Sequence, residues 1–378
     1  MTTYGFLSTY PPTRCGLATF TSNLASAIAY DDGDESLVVR VDDLVPTGPA
    51  TPGPNTRIVG DLHPRSAASR HQTVELLNQC DVVIVQHEYG IYGGRSGVEV
   101  LDILEGINVD CFVVLHTVLE RPTWRQRRII QKIAGMAKGL VAMTRKAKDL
   151  LIKHYGVSES LIHVIPHGVS EWIDPMTTEA SPRPVILGWG LLGPGKGIEW
   201  GIRAMPELAD LNPRPLYRVL GQTHPKVLRE SGNHYRNSLL ALAHRKGVSN
   251  DVELDGRYQE TDELAAQVAA ATAVLLAYDS RDQSTSGVLV EAVAAGKIVI
   301  ATRFPHAVEL LSDGAGILVD HANPHAIAQA IRTVLTDPQL AHAMSERARA
   351  ETVGISWSAV ASRYRALSRE SSLVGAGV

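Results

Sequence analysis

The stretch VVIVQHEYGIYGG, residues 82–94, decides the fold. Val82, Val83, Ile84 and Val85 follow one another without the polar alternation of a strand that has one wet face, so this strand is buried on both sides. At its end the character changes at once to His87, Glu88 and a set of glycines. Runs of the same kind recur at 36–41, 111–115, 139–142 and 162–165, with helical spacing at 125–136 and 145–155. Unalternating strands separated by helices specify a parallel sheet covered on both faces. The rhythm then starts again at 185–187 and continues through 217–220, 252–254, 273–277, 298–301 and 317–319. Between the two series lies EWIDPMTTEASPRP, residues 171–184, polar and proline-rich in the manner of a linker. We therefore expect an α/β protein of two Rossmann-like, doubly wound domains facing a central cleft: residues 1–170, a linker at 171–184, residues 185–355, and a helical segment at 356–378. In such sheets ligands bind beyond the carboxyl ends of the strands, which directs attention to the loops there.

Composition agrees with this layout. The 378 residues are 44% hydrophobic and 20% charged, a globular profile, and a chain of this length supplies cores for two domains. Lys+Arg 36 against Asp+Glu 40 leaves a net charge of -4, which excludes a polycation that coats nucleic acid. Cys15, Cys80 and Cys111 are too few and too scattered for a disulfide framework or a zinc site, as expected of a reducing, cytoplasmic setting. No stretch approaches the roughly 18 uninterrupted apolar residues of a membrane span, and the start of the chain lacks the pattern of a secretory signal.

Five loops carry candidate chemistry. STYPPTRCGLAT, residues 8–19, leads into a helical pattern, and Gly16 lets backbone approach a ligand where free N–H groups and the helix dipole favour phosphate; an ordinary strand-to-helix turn would read the same way. The pair His87 and Glu88 at a strand end is costly to bury unless it meets something polar. LHTVLER, residues 115–121, places His116 directly after another strand, and two histidines at the ends of different parallel strands are better explained by a shared ligand than by two structural accidents.

LGWGLLGPGKGIE, residues 187–199, matches G-x-G-x-x-G through Gly188, Gly190 and Gly193 but lacks the acidic ribose partner about 20 residues on. The same loop matches most of a Walker A sequence, yet Gly197 stands where Ser or Thr must hold magnesium. What survives is a glycine-rich loop presenting Lys196 to a phosphate-bearing ligand with no compulsory metal. In YDSRDQSTSGVLVE, residues 278–291, the small residues 284–287 precede a helix whose amides can face a diphosphate, and Glu291 is expected about two turns into that helix. Its apolar neighbours argue that Glu291 points at a partner in a cleft rather than at bulk water.

The order of these loops resembles that of retaining GT-B glycosyltransferases of the family-4 type. The resemblance spans nearly the whole chain through Gly16, VIPHGV (164–169), PGKGIE (194–199), QSTSGVLVEAVAAGKIVIAT (283–302), GAGILV (314–319) and the segment at Trp357; HEYGIYGG, HTVLERP and GQTHP resemble a bacterial branch of that family. It implies a hexosyltransferase with a nucleotide-sugar donor, of which GDP-mannose and UDP- or GDP-glucose all fit, acting on an unidentified glycan, small-molecule or lipid-linked acceptor. It implies that Gly16 lies against the donor diphosphate, that Lys196 beside Gly197 neutralises it, and that the amides of Thr285, Ser286, Gly287 and Val288 hold phosphate. Glu291 would accept hydrogen bonds from the ribose, His116 would contact the donor sugar, and His87, Glu88 and Arg14 would orient acceptor or donor. The helix after Trp357 would cross back onto the first domain. No metal and no further cofactor are implied.

Three positions depart from the family pattern. Gln283 replaces the first acid of the E-x7-E motif, keeping hydrogen-bonding capacity without charge. Leu191 replaces an arginine five residues before the lysine, which leaves Lys196 to carry more of the leaving-group charge unless Arg14, His224 or Arg281 contributes. Pro305 and His306 replace a glycine pair. No carboxylate pair suited to a covalent glycosyl intermediate is evident, so same-face attack is the simplest mechanism. A sugar phosphorylase of the same fold and a non-catalytic nucleotide-sugar binder are the alternatives. Between Arg121 and Lys148 the chain holds nine Lys or Arg and no acid, which fits either a solvated helical surface or contact with an anionic acceptor or membrane.

Overall fold

A computed structural model describes residues 1–30, 33–42, 52–170 and 181–375. The chain divides into two units: Met1–Gly168 with Gly354–Val378, and Val169–Val353. Most of the segment expected to link two domains, 171–180, lies outside the described residues.

The first unit contains β1 (Thr3–Ser8), β2 (Glu35–Val41), β3 (Thr56–Leu62), β4 (Val82–His87), β5 (Asp110–Leu115), β6 (Gly139–Ala142) and β7 (Ile162–Val164), in the order β3-β2-β1-β4-β5-β6-β7. Every pairing is parallel. Successive residues of β4 serve opposite faces: Val82 and Ile84 pack with Tyr4 and Phe6, whereas Val83 and Val85 pack with Leu7 and Ile103. This two-sided burial is why the strand lacks polar alternation, and each fully buried aliphatic side chain contributes about 1.5–3 kcal/mol. The helix Trp124–Met136 starts on a capping box, in which Thr123 accepts from the Gln126 amide and Gln126 returns the bond to Thr123.

The second unit contains β8 (Val185–Trp189), β9 (Leu216–Leu220), β10 (Val252–Asp255), β11 (Ala273–Leu276), β12 (Ile298–Thr302) and β13 (Gly316–Val319), ordered β10-β9-β8-β11-β12-β13 and again all parallel. Both sheets reverse strand order beside their first strand, the switch point at which open α/β sheets bind ligands.

Four local features differ from the sequence reading. The strand β3, TRIVGDL, was not anticipated; it lies on the sheet edge and is only partly buried, so its apolar pattern is broken. His87 is the last residue of β4 rather than the first residue after it. The helical stretch from 145 changes from α-helix at Arg145–Leu150 to a π turn at Leu151–Tyr155. The helix carrying Glu291 is Gly287–Ala294, capped by the Ser286 side chain, so Glu291 sits one turn in, not two.

The helix Trp357–Gly375 packs along Gly16–Tyr30, adding Val360, Ala361 and Tyr364 to the core around Tyr4, Phe20 and Leu24. Its first residue requires a glycine opposite: a Cβ on Gly168 would lie 2.3 Å from the Trp357 ring. Among the described residues no helix is long and apolar enough to cross a membrane.

Candidate functional site

In the first unit the candidate residues gather at the carboxyl ends of β4 and β5, which are neighbours in register, His87 opposite Leu115. The His116 backbone N–H donates to His87 O at 3.1 Å, so the two histidines are joined through the main chain. The His116 ring Nε2 is 2.7 Å from Gln86 Oε1, and the edge of Phe20 meets the ring at 4.8 Å between centroids. Phe20 also meets His167 at 5.0 Å and Trp357 at 5.1 Å, an aromatic wall behind the histidine.

Burial, followed by the nearby His167 and His87, pushes the His116 pKa down to about 3, so the ring is neutral. His167 and His87 are each lowered to about 4, chiefly by burial. A neutral imidazole both donates and accepts, the property needed to engage sugar hydroxyls. Among the described residues, His87 is fully buried with neither ring nitrogen bonded, and Gln86 Nε2 is likewise buried without a partner. An unsatisfied buried polar atom marks a place for water or a polar ligand.

Glu88 points differently from its neighbour. Its Oε2 accepts from Thr117 Oγ1 at 2.5 Å and its Oε1 from the Tyr89 amide at 2.8 Å. Burial raises its pKa, and those two donors partly oppose the rise. Gly16 opens the helix Gly16–Tyr30 and is exposed, with nothing within 4 Å of where a Cβ would stand, while the Ala18 amide of the first turn donates to Cys15 Sγ at 3.4 Å. Arg14 lies two residues before it and is partly exposed.

The basic stretch is less uniform in space than in sequence. Lys138 pairs with Asp110 at 3.6 Å and Lys148 with Glu159 at 2.7 Å, so acids from outside the stretch offset part of it. What remains unusual is Trp124, 73% exposed, with the Arg125 guanidinium 5.4 Å from its ring.

In the second unit the glycine loop after β8 is fastened on two sides. On one side Leu192 donates to Gln222 O and accepts from the His224 amide, both at 2.8 Å, joining it to GQTHP. On the other, Asp279 N donates to Gly195 O at 3.0 Å while Asp279 Oδ1 accepts from Trp200 Nε1 at 2.6 Å. Gly197 has φ +64, and a Cβ there would lie 1.6 Å from Ala277 O, so neither Ser nor Thr fits where a Walker A loop needs one.

This fastening sets Lys196 Nζ 4.6 Å from the centre of the Tyr278 ring, whose other neighbour is Phe304, stacked at 5.1 Å. The Tyr278 carbonyl accepts from Thr302 Oγ1 at 2.6 Å, and its hydroxyl is buried without a partner among the described residues. His224 lies near enough to Lys196 that the ammonium, after burial, lowers its pKa. Arg281 is exposed.

The loop from 283 to 288 is tightly organised. Ser286 Oγ caps the helix by accepting from Leu289 N, and the Ser286 amide donates to His306 Nδ1 at 2.9 Å. The Ser286 amide, expected to face phosphate, is therefore already engaged. The Gln283 side chain donates to Thr285 O, and Thr285 Oγ1 is buried without a partner among the described residues. Gly287 begins the helix, and Val288 packs 3.8 Å from where a Cβ of Gly190 would be, bringing helix start and glycine loop together. Glu291 is hydrogen-bonded by Trp189 and raised by burial to about 7, a carboxyl that exchanges its proton near neutrality.

Sequence reasoning did not reach Tyr278, Trp189, Gln86 or Thr117. Each acts through a contact between distant loops, although all four flank strand ends. Among the described residues no group of three or more His, Cys, Asp or Glu is placed to hold a metal ion.

Comparison with known proteins gives consistent findings. Residues 16–171 match the family Glycosyltransferase Family 4, and residues 172–351 match Glycosyl transferases group 1. A D-inositol 3-phosphate glycosyltransferase of Corynebacterium glutamicum (strain R) is 30% identical over 263 residues, 66% of this chain and 61% of its own length. The enzyme of the same name from Streptomyces bingchenggensis (strain BCW-1) is 30% identical over 223 residues, 56% of this chain and 48% of its own. The chain thus spans about half to three fifths of the curated relatives it matches. Among solved structures, Anabaena Alr3699/HepE in complex with UDP and glucose superposes with TM-score 0.75 at 17% identity, covering 97% of this chain and 99% of that one. Sucrose-phosphate synthase from Thermosynechococcus elongatus gives 0.75 at 18%, covering 100% of both.

Proposed function

We propose that this chain, which is built of a Glycosyltransferase Family 4 domain followed by a Glycosyl transferases group 1 domain with the GT-B fold, moves a hexose from a nucleoside-diphosphate sugar to a hydroxyl acceptor with retention of configuration. The observation that carries this reading is the second unit's arrangement: Lys196 held over Tyr278, a capped helix starting at Gly287, and the protonatable Glu291 one turn in. The set offers one cation and several amides to a diphosphate and one carboxylate to ribose.

Breaking the bond between the anomeric carbon and the diphosphate places negative charge on the leaving group. Lys196, the amides of Thr285, Gly287 and Val288, and the Thr285 hydroxyl stabilise that charge where it develops. His116, neutral and braced by Gln86, hydrogen-bonds the transferring sugar. The attacking hydroxyl approaches from the same face, and its proton passes to the departing phosphate oxygen, so no covalent sugar–protein intermediate is required. His87, Glu88, Thr117 and Arg14 orient the acceptor or the donor. Gly16, exposed at its helix start, lies against phosphate.

GDP-mannose and UDP- or GDP-glucose are the donors we propose, with UDP-glucose supported by the sugar and nucleotide in the Anabaena structure. The name of the relatives, D-inositol 3-phosphate glycosyltransferase, supports an anionic polyol among the acceptors. We place the reaction in the cytoplasm with peripheral membrane contact through Trp124 and its basic neighbours. No metal is required in this scheme. Gln283 favours one second reading, a non-catalytic binder, because its side chain is spent on the Thr285 carbonyl and brings no charge.

The test is a thermal-shift screen of GDP, UDP, ADP and their sugars, since a ligand of the folded state raises apparent stability. Single-turnover incubation with labelled donors then follows. Transfer or slow donor hydrolysis supports the enzyme; binding with neither supports the binder; no nucleotide binding at all rejects both.

A further inference from the structure

The loop that enters the helix Gly287–Ala294 is held in shape by a residue 20 positions away. His306 is the second residue of the helix Pro305–Leu311 after β12 and is 6% exposed. Its backbone N–H donates to Gln283 O at 3.3 Å, and its ring Nδ1 accepts from the Ser286 amide at 2.9 Å. One residue therefore grips both ends of the turn 283–286. Inside the turn, Gln283 donates to Thr285 O, while Thr285 Oγ1, buried, is left without a partner among the described residues.

We propose that His306 is a positioning residue for the phosphate-binding turn: by engaging the Ser286 amide from behind, it fixes which donors face the diphosphate, namely the amides of Thr285, Gly287 and Val288 and the Thr285 hydroxyl. The inference rests on the reading of this turn as the phosphate site and adds the residue that sets its shape. Two local facts support it. Ser286 is 6% exposed, so an unengaged amide there would be a buried, unsatisfied donor and the turn would rearrange to satisfy it. Ser286 Oγ is occupied by the Leu289 amide, so the cap cannot fill the role of the imidazole. The ring acts as an acceptor only with Nδ1 unprotonated, which assigns the Nε2–H tautomer.

The experiment compares His306→Asn, whose Oδ1 occupies nearly the position of Nδ1, with His306→Leu, which keeps bulk and loses the acceptor. Each is titrated calorimetrically with GDP, UDP, ADP and their parent nucleosides. The expected result is that His306→Leu weakens the diphosphate by about tenfold or more while His306→Asn stays within about threefold, as the loss of one buried hydrogen bond requires. Nucleoside affinity stays unchanged in both. Equal loss in the two variants, or no loss in His306→Leu, overturns the proposal.

Lys196→Ala serves as the reference. If it weakens the diphosphate and His306→Leu does not, the proposal fails and the phosphate reading stands; if neither Lys196→Ala nor His306→Leu has an effect, both fail. Long-range proton–nitrogen correlation on the native protein provides a measurement that needs no variant. It should show His306 with Nδ1 unprotonated, and an Nδ1–H tautomer overturns the assignment.

Discussion

The Lys196 ammonium rests 4.6 Å from the centre of the Tyr278 ring, so the cation is placed before any ligand arrives. A ring face attracts a cation without neutralising it, by about 0.5–2 kcal/mol depending on exposure. Lys196 is thereby restrained while keeping its charge for an anion, a division of labour that a carboxylate partner would spoil.

Lys196→Ala should lower nucleoside-diphosphate affinity by about 10- to 100-fold, the equivalent of one lost charged hydrogen bond. Tyr278→Phe keeps the ring and should bind nearly as the native protein does, whereas Tyr278→Leu should fall between the two. Titration of the three variants checks this order. Native turnover in Lys196→Ala would remove the lysine from the proposed reaction.

Glu291 should make nucleotide binding release protons. Its pKa, ordinarily 4.5, is raised to about 7 in the free protein, and ribose hydroxyls donating to it favour the ionised form. Near pH 6.5 binding then expels part of a proton, seen as a dependence of binding heat on the ionisation enthalpy of the buffer. The same shift acts on stability. From pH 4.5 towards 7 the unfolded chain ionises Glu291 while the folded one holds its proton, so this group costs stability as pH rises, and the cost is constant above 7. Glu291→Gln should therefore gain in melting temperature relative to the native protein between pH 5 and 7.5 while losing nucleotide affinity.

The three histidines of the first unit work in the opposite direction. His87, His116 and His167 are lowered from 6.5 to about 4, 3 and 4, so their neutral forms favour the fold above pH 6.5. That contribution is lost as pH falls through 6.5 towards 4, because the unfolded chain takes up protons first. Urea midpoints across pH 4–7 should fall steeply on the acid side, and less steeply in His87→Gln. An identical slope in the variant would show that His87 is not the group responsible.

Gly168→Ala should destabilise the first unit by about 1–3 kcal/mol, the usual cost of overfilling a packed contact. Trp357 would have to leave its position over residue 168, and its fluorescence should report the change. Unchanged emission and urea midpoint would contradict the contact.

Flotation with anionic vesicles tests the surface around Trp124. Each Lys or Arg near such a membrane contributes about 1 kcal/mol, and an exposed tryptophan suits the interface. Trp124→Ala and Arg125→Glu should each reduce salt-sensitive co-flotation. Failure of the native protein to float would reject the membrane contact.

The sheets were legible because most of their strands are buried on both faces and therefore read as unbroken Val, Ile and Leu runs. The edge strand β3 escaped because exposed positions such as Arg57 and Asp61 follow solvent rather than core. At the site, glycines and strand-end histidines announced themselves through residue type. What escaped were partners chosen across space: Trp189 for Glu291, Gln86 for His116, His306 for Ser286. Nothing in the local sequence of Ser286 identifies the imidazole 20 residues on. The two-turn placement of Glu291 failed for a narrower reason, since the helix begins after its Ser286 cap and not among the small residues before it.

The union of Gly168 with Trp357 also bears on how the protein is made. The first unit is not continuous along the chain: its core is completed by Val360, Ala361 and Tyr364, which leave the ribosome only after all of 169–353. During synthesis the second unit has every residue it needs while the first still exposes the apolar face around Phe20 and Leu24. Order of emergence and order of completion are thus reversed, and the unit begun first is the one finished last.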